Sequence, residues 1–257
     1  KSTDGTIKNG VRLHDGLMVE SVLIPTDTRT TACVSSQVGC SLNCEFCATA
    51  KLKRMRNLEV AEIIDQVALI DRQSKLYFGR PLTNIVFMGM GEPMMNYKNV
   101  VDSIRKITSP DGLGMSPRRI TVSTSGIPKM IKMLADEDLK VKLALSLHTA
   151  IEHKRNMVMP FSEKFPLSEV MESLQYWYQK TKSIITFEYC VWGGINDTDE
   201  DIKALIKFCR QVPSKVNLIQ YNPIGEGKYD HRNTLAEERY IQELEKAGIT
   251  IVVRRSR

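Results

Sequence analysis

Three cysteines lie within one eight-residue stretch, C-S-L-N-C-E-F-C, at positions Cys40, Cys44 and Cys47. No fourth cysteine or histidine lies nearby at a matching spacing, so the stretch supplies three thiolates only. Cysteine thiolates are the usual protein ligands of iron–sulfur clusters. The C-x3-C-x2-C spacing therefore predicts a [4Fe-4S] cluster with three protein-bound irons and a fourth iron open to another molecule.

Two other interpretations of the cysteine loop stay open. A structural zinc site is closed by four protein ligands, but no second cysteine pair and no paired histidines follow at finger spacing. A disulfide framework suits a short secreted chain, whereas this sequence shows no hydrophobic signal segment at its start. The spacing favours the cluster, and zinc is the stronger of the two alternatives.

Length and composition indicate one large cytoplasmic domain. The 257 residues suit a single α/β barrel, and the hydrophobic fraction of 42% is enough for a substantial core. No run of 18 or more apolar residues occurs, so we expect no membrane span. Six cysteines without a secretory segment indicate a reducing cytoplasm.

Positive charge is concentrated in three short clusters. The formal net charge is +6 and the pI is about 8.9. A basic cluster beside a reaction centre favours a polyanionic substrate, although such clusters are often only solvated surface. The clusters are Lys51, Lys53, Arg54 and Arg56 after the cysteine loop, then Arg118 and Arg119, and finally Arg254, Arg255 and Arg257.

Strand-like and helix-like segments alternate along the chain. Alternation of this kind produces βαβ units and a parallel sheet, with the chemistry at the carboxyl ends of the strands. About six repeats are too few for a closed eight-stranded barrel, so the predicted fold class is α/β, a partial (β/α)6 barrel. Hydrophobic periodicity predicts strands at 31–35, 84–88, 119–123, 141–147, 184–191, 215–220 and 249–253, and helices at 60–74, 98–108, 128–136, 167–180, 199–212 and 235–247.

The segment before the cysteines predicts a β-hairpin. Residues 10–25 form two alternating runs around Asp15-Gly16, a strong turn signal. We therefore divide the chain into an N-terminal hairpin extension, residues 1–30, and a partial-barrel core, residues 31–257.

Five motifs together resemble the RlmN/Cfr family of radical S-adenosylmethionine (SAM) RNA adenine methyltransferases. The resemblance extends from about residue 5 to residue 257, is closer to the RlmN branch, and implies a barrel of the radical SAM type. It implies methylation of C2 of an adenosine in 23S ribosomal RNA and of the adenosine after the anticodon in some tRNAs. Cfr-like methylation of C8 remains an alternative. The matching stretches are C-V-S-S-Q-V-G-C-S-L-N-C-E-F-C, F-M-G-M-G-E-P, T-V-S-T-S-G, L-S-L-H and L-I-Q-Y-N-P.

The resemblance also implies roles for individual residues. Cys40, Cys44 and Cys47 match the cluster ligands. Taken alone, the SAM-contact positions are ordinary cap and turn residues, but they recur at successive strand ends. These SAM-contact positions are Gly91, Glu92, Ser123, Ser146, Leu147, His148 and Asn222.

Two further residues match catalytic positions of the family. Cys33 matches the resolving cysteine, and Glu20 matches the residue assigned as proton acceptor. The resemblance implies that one SAM methylates a C-terminal cysteine and a second SAM yields a radical that activates that methyl. Carbon addition to the base, proton removal and attack by the resolving thiolate then complete the reaction. The sequence ends at Arg257, just before the segment that would carry the methyl-bearing cysteine, and the family's N-terminal accessory domain has no counterpart. We therefore expect the chain as written to cleave SAM without methylating RNA.

The implied cofactors are the [4Fe-4S] cluster and SAM, and the implied partners are RNA and a reductant protein such as flavodoxin or ferredoxin. We expect a monomer. Two alternatives remain: a radical SAM enzyme with another substrate, such as a glycyl-radical activase, and a non-catalytic RNA-binding module carrying zinc or a cluster.

Overall fold

The framework is one open nine-stranded sheet. A computed structural model describes residues 1–222 and 233–254. The strands are β1 Ile7–Arg12, β2 Met18–Pro25, β3 Thr30–Cys33, β4 Gln37–Val38, β5 Arg56–Asn57, β6 Asn84–Phe87, β7 Ile120–Thr124, β8 Lys142–Ser146, β9 Ile185–Cys190, β10 Ser214–Ile219 and β11 Thr250–Arg254. The sheet order is β1-β2-β3-β6-β7-β8-β9-β10-β11, and β4 pairs with β5 separately.

Neighbouring strands from β3 to β11 in this sheet are parallel. Each crossover contains helix, and crossovers of one hand in sequential order place the helices on one face of the sheet. Six βαβ units result, which confirms the predicted alternation. The helices are α1 Val60–Phe78, α2 Tyr97–Thr108, α3 Pro128–Asp136, α4 Glu152–Val158, α5 Leu167–Thr181, α6 Asp199–Cys209 and α7 Thr234–Lys246.

The two faces of the sheet differ in polarity. Ile85 and Ile120 are wholly buried in the main apolar core. On the other face, Ser146, Glu188 and Asn217 stand side by side in the register of β8, β9 and β10. Because side chains alternate along a strand, one face can be apolar for the helices while the other presents polar groups.

The predicted hairpin is present and extends the sheet. β1 pairs antiparallel with β2, and β2 pairs antiparallel with β3. Gly16 occupies the turn with φ +84°, a conformation that glycine adopts without steric cost. The hairpin is thus continuous with the first strand of the parallel series.

Two features were not predicted. α4 has seven residues and is separated from the end of β8 by five residues, in a stretch where we predicted no helix or strand. β4 and β5 form a small antiparallel pair that brackets the cysteine loop. Among the residues described, no helix has both the length and the apolar character needed to cross a bilayer.

Candidate active site

A cavity of about 300 Å³ opens at the carboxyl ends of strands β6 to β10. A larger cavity, of about 490 Å³, lies between α6 and α7 and contains none of the predicted site residues. The first cavity is therefore the candidate site. It brings together Cys40, Cys44, Cys47, Gly91, Glu92, Ser123, Ser146 and His148.

The cysteine loop is held against the strand ends by backbone and aromatic contacts. The Glu45 amide donates to the Val158 carbonyl (3.1 Å), and the Cys47 amide donates to the Cys44 carbonyl (3.1 Å). The Phe46 ring packs edge-on against His148, with ring centroids 4.6 Å apart. These contacts attach the loop to β8 and to the end of α4.

The three thiols fit a cluster. Burial, followed by repulsion from Cys47 and Cys40, raises the pKa of Cys44 to about 12, and burial also raises the pKa of Cys40. Bound iron reverses such shifts, because a metal cation favours the thiolate. Within 1–222 and 233–254, no three cysteine, histidine or carboxylate side chains converge on one ion position, as a single zinc would require. A cubane takes its thiolates on separate irons, so it does not need the three sulfurs to meet at one ion position.

Glu92 is a buried carboxylate at the cavity wall. It is 3% exposed, and its oxygens accept hydrogen bonds from the amides of Met94 (3.2 Å) and Ser125 (2.8 Å). Burial raises its pKa despite these bonds. No described residue forms an ion pair with this carboxylate, and an ammonium group would compensate its buried charge.

Gly91 is required by the backbone before Glu92. Its φ is +93°, and a Cβ atom there would lie 2.4 Å from Cβ of Gln37. Gln37 in turn accepts a hydrogen bond from the Glu92 amide through Oε1 (2.9 Å). The glycine thus allows the segment 89–92 to approach β4 closely.

His148 is buried and neutral. Burial lowers its pKa to about 3, and its Nδ1 accepts a hydrogen bond from the Cys190 amide (3.3 Å). Its backbone has φ 58°, and its carbonyl accepts from Asn196 Nδ2 (2.7 Å). The ring is therefore fixed as an uncharged polar group in the cavity wall.

The remaining SAM-contact positions differ in their surroundings. Ser123 and Ser146 line the cavity. Leu147 is wholly buried in the main core and does not line the cavity, although its amide donates to the carbonyl of Glu188 (3.1 Å), which does. Asn222 is exposed at the end of the described segment and does not line the cavity. Pro223, Arg255 and Arg257 lie outside the described residues.

Cys33 and Glu20 lie beside the cavity rather than in its lining. Cys33 ends β3 between Val22 and Val86 in register, and burial raises the pKa of its thiol to about 11. The Glu20 side chain is half-exposed and pairs with Lys8 (Nζ–Oε1 2.7 Å).

The Glu20 backbone nevertheless contacts the glycine-rich segment after β6. Its carbonyl accepts from Ser35 Oγ (2.5 Å), and its amide contacts Met90 Sδ (3.3 Å). The hairpin is thereby joined to the segment that carries Gly91 and Glu92.

The cavity also contains residues that were not predicted. Glu188 is 6% exposed, burial raises its pKa, and it accepts a hydrogen bond from Asn217 Nδ2 (2.9 Å). Cys190 and Phe46 also line the cavity. A charged residue at an inward position of the apolar run I-T-F-E-Y-C was the signal that could have identified Glu188.

Comparison with known proteins identifies the family. A profile described as the radical SAM superfamily matches residues 34–209. The chain belongs to the radical SAM superfamily. It is 66% identical over 257 residues to a Flavobacterium psychrophilum protein named "Probable dual-specificity RNA methyltransferase RlmN", covering all of this chain and 74% of that protein.

Two further similarities lie within the same radical SAM family. The chain is 42% identical over 257 residues to the "Dual-specificity RNA methyltransferase RlmN" of Geotalea uraniireducens, covering 73% of it. A crystal structure of a radical SAM methyltransferase from Sphaerobacter thermophilus superimposes with a TM-score of 0.97 at 39% identity, covering all of this chain and 75% of that one. The chain belongs to the RlmN family of radical SAM methyltransferases, which confirms the predicted family and fold class.

Proposed function

We propose that this chain is the catalytic core of a radical SAM RNA methyltransferase that modifies C2 of adenosine in 23S ribosomal RNA and tRNA. The observation that carries the proposal is the convergence of three cysteines, Glu92 and His148 on one cavity at the carboxyl ends of the parallel strands. Membership of the RlmN family supports RNA as the substrate.

We assign the cofactors to particular side chains. Cys40, Cys44 and Cys47 would hold a [4Fe-4S] cluster. Glu92 and the Gly91 carbonyl would accept hydrogen bonds from the ammonium of SAM. Ser123 and Ser146 would contact SAM through their hydroxyl groups. Further contacts to SAM would come from Leu147, His148 and Asn222. When bound, the cluster and SAM together supply a one-electron cleavage of the sulfonium and a carbon-centred radical.

The protein's own residues prepare this site. The amides of Met94 and Ser125 fix both oxygens of Glu92, so the carboxylate is preorganised for a cation. Neutral His148 adds no positive charge beside the sulfonium. Phe46 packs over His148 and Trp192 and keeps water from that wall. Glu20 would accept a proton from the base, and Cys33 would resolve the covalent intermediate.

The segment after the cysteine loop supports an RNA-binding face. Lys51 and Lys53 are exposed, as are the apolar side chains of Leu52 and Met55. Cations bind phosphates and apolar groups stack on bases, so this mixture suits RNA. Arg56 of the predicted cluster instead forms ion pairs with Asp15 and Glu62, so its charge is not available to bind RNA.

We further propose that residues 1–30 are an extension of a core that starts at residue 31. The strand directions support this division, because β1 and β2 pair antiparallel whereas the strands from β3 onward pair parallel. A flavodoxin or ferredoxin would supply the electron, and the core would act as a monomer.

Anaerobic SAM cleavage tests the proposal. We expect reconstituted protein with dithionite and SAM to form 5′-deoxyadenosine, and Cys44→Ala to abolish it. Cys209→Ala removes a buried thiol on α6 that does not line the cavity, so it should retain activity. Protein that holds its iron and sulfide but forms no 5′-deoxyadenosine contradicts the assignment. Binding of a tRNA anticodon stem-loop distinguishes the RNA methyltransferase from an activase.

A further inference from the structure

Arg155 is a wholly buried arginine behind the cavity wall. It lies on α4 with 0% exposure. Its Nη2 donates hydrogen bonds to the carbonyls of Ser125 (2.6 Å) and Ser146 (3.3 Å). Both serines line the cavity, so the guanidinium touches the strand ends that form the site.

No described carboxylate forms an ion pair with Arg155, and Glu152, one turn earlier on α4, acts on its charge only at longer range. Nε and Nη1 are buried without a hydrogen-bond partner, and no ion pair to this guanidinium occurs among the described residues. Burial lowers its pKa to about 10, which leaves it protonated at neutral pH. Lys154, the preceding residue, differs because its ammonium lies 2.8 Å from both carboxylate oxygens of Asp201.

An unpaired buried charge is costly, and none of the described residues forms an ion pair with this one, so we expect a bound anionic group to be its partner. The cysteine loop lies against the same helix, since the Glu45 amide donates to the carbonyl of Val158 on α4 (3.1 Å). The Ser125 peptide connects Arg155 to Glu92 as well, since its carbonyl accepts from Arg155 and its amide donates to Glu92. The cation therefore faces the side of the cavity where the anionic groups lie.

We propose that Arg155 is the built-in counter-cation of the cluster site and that it raises the reduction potential of a cluster held by Cys40, Cys44 and Cys47. This inference rests on the proposed function. Reduction transfers one electron from a donor such as dithionite to the cluster, which becomes more negative while the donor is oxidised. A fixed cation in a low-dielectric surrounding stabilises the more negative form. Arg155 is thus a positioning residue, because it acts through the cluster and the two serine carbonyls.

Potentiometric titration of the reconstituted protein, followed by electron paramagnetic resonance, tests the proposal. We expect Arg155→Met to make the equilibrium constant for reduction about tenfold less favourable, which is about 59 mV to more negative potential for a one-electron couple. Arg155→Lys should keep a potential near that of the wild type, since it retains the charge. Lys164→Met removes an exposed cation from the segment that follows the same helix and should leave the potential unchanged.

The outcomes separate this inference from the proposed function. Wild-type protein that takes up no cluster or cleaves no SAM contradicts the function. An Arg155→Met protein with full iron and sulfide content and wild-type potential overturns the role of Arg155 alone. If Arg155→Met does not fold, Arg155→Lys tests the proposal instead, because it keeps the charge and loses the paired hydrogen bonds to the two carbonyls. A wild-type potential in Arg155→Lys supports the role of the charge. A more negative potential overturns it.

Discussion

His148 shows how one buried side chain makes stability depend on pH. Its pKa falls from 6.5 to about 3 on folding, so the unfolded chain binds the extra proton between these values. Unfolding is therefore favoured as pH drops through this window, by up to about 1.4 kcal/mol per pH unit. His148→Asn keeps a residue that tolerates positive φ and removes the proton uptake.

We expect the free energy of unfolding of His148→Asn to fall less steeply than that of the wild type below pH 6.5. Urea unfolding of the cluster-free protein at several pH values between 7.5 and 4.5 measures this difference. The raised pKa of Glu92 has the opposite effect, because the folded protein then binds the extra proton as the pH falls. Glu92 is present in both proteins, so its contribution cancels in the difference. His153→Asn, at an exposed position of α4, provides the control. Parallel curves for His148→Asn and wild type would mean that the folded ring takes up the proton.

Glu92 gives a second residue-scale prediction. Replacing the carboxylate by the amide in Glu92→Gln removes a charged hydrogen bond worth about 1.5–3 kcal/mol, so SAM should bind about tenfold to hundredfold more weakly. Equilibrium dialysis with reconstituted protein measures the affinity, and the exposed Glu163→Gln serves as control. Because the amides of Met94 and Ser125 use both carboxylate oxygens and Gln offers only one acceptor, the cluster-free variant should also lose about 1–3 kcal/mol of unfolding free energy. Wild-type SAM affinity in Glu92→Gln contradicts the assignment of the ammonium.

At the scale of elements, the turn between β6 and the following helical turn depends on Gly91. Gly91→Ala adds both a strained φ and a Cβ atom 2.4 Å from Gln37. Gly16→Ala adds a similar strain at φ +84° but meets no atom within 4 Å. We expect Gly16→Ala to cost about 1–2 kcal/mol in unfolding free energy and Gly91→Ala clearly more, measured by urea unfolding. Equal losses of unfolding free energy in the two variants would show that Gln37 moves away from the added Cβ atom at little cost.

Elements with strong local signals were the ones that sequence could predict. α3 begins at Pro128 and ends at Asp136 as predicted, because a proline at the first position fixes its start. α1 continues to Phe78, beyond the predicted end, because Gly79 caps it in the left-handed conformation. α4 was missed because seven mostly polar residues give no clear periodicity.

The same limit applies to the site. Its motif residues could be placed at strand ends because parallel strands bring their carboxyl ends together. Burial and contacts depend on tertiary packing, so sequence did not indicate that Arg155 is hidden or that Leu147 faces the core. Arg56 of β5 likewise pairs with Asp15 in the hairpin turn, 41 residues away, and no local pattern encodes that contact.

At the scale of the whole molecule, the question is whether RNA recognises overall charge or one face. The net charge of +6 attracts any polyanion to the whole molecule. Lys51 and Lys53 lie beside the cysteine loop, so their charges would attract RNA to that face in particular. Each phosphate contact contributes about 0.7–0.9 to the slope of log affinity against log salt concentration. We therefore expect Lys51→Gln with Lys53→Gln to reduce that slope by about 1.4–1.8 for a tRNA anticodon stem-loop, measured by fluorescence anisotropy.

A matched variant separates the two explanations. Lys203 and Lys207 are exposed on α6 beside the larger cavity, and they do not line the candidate site. Lys203→Gln with Lys207→Gln removes the same charge, so it should leave the slope unchanged if RNA binds beside the cysteine loop. Equal losses in both double variants would mean that RNA responds to the total charge, because long-range attraction does not depend on where a charge is removed. A loss confined to the α6 pair would place the RNA on the outer helical layer and contradict the proposed face.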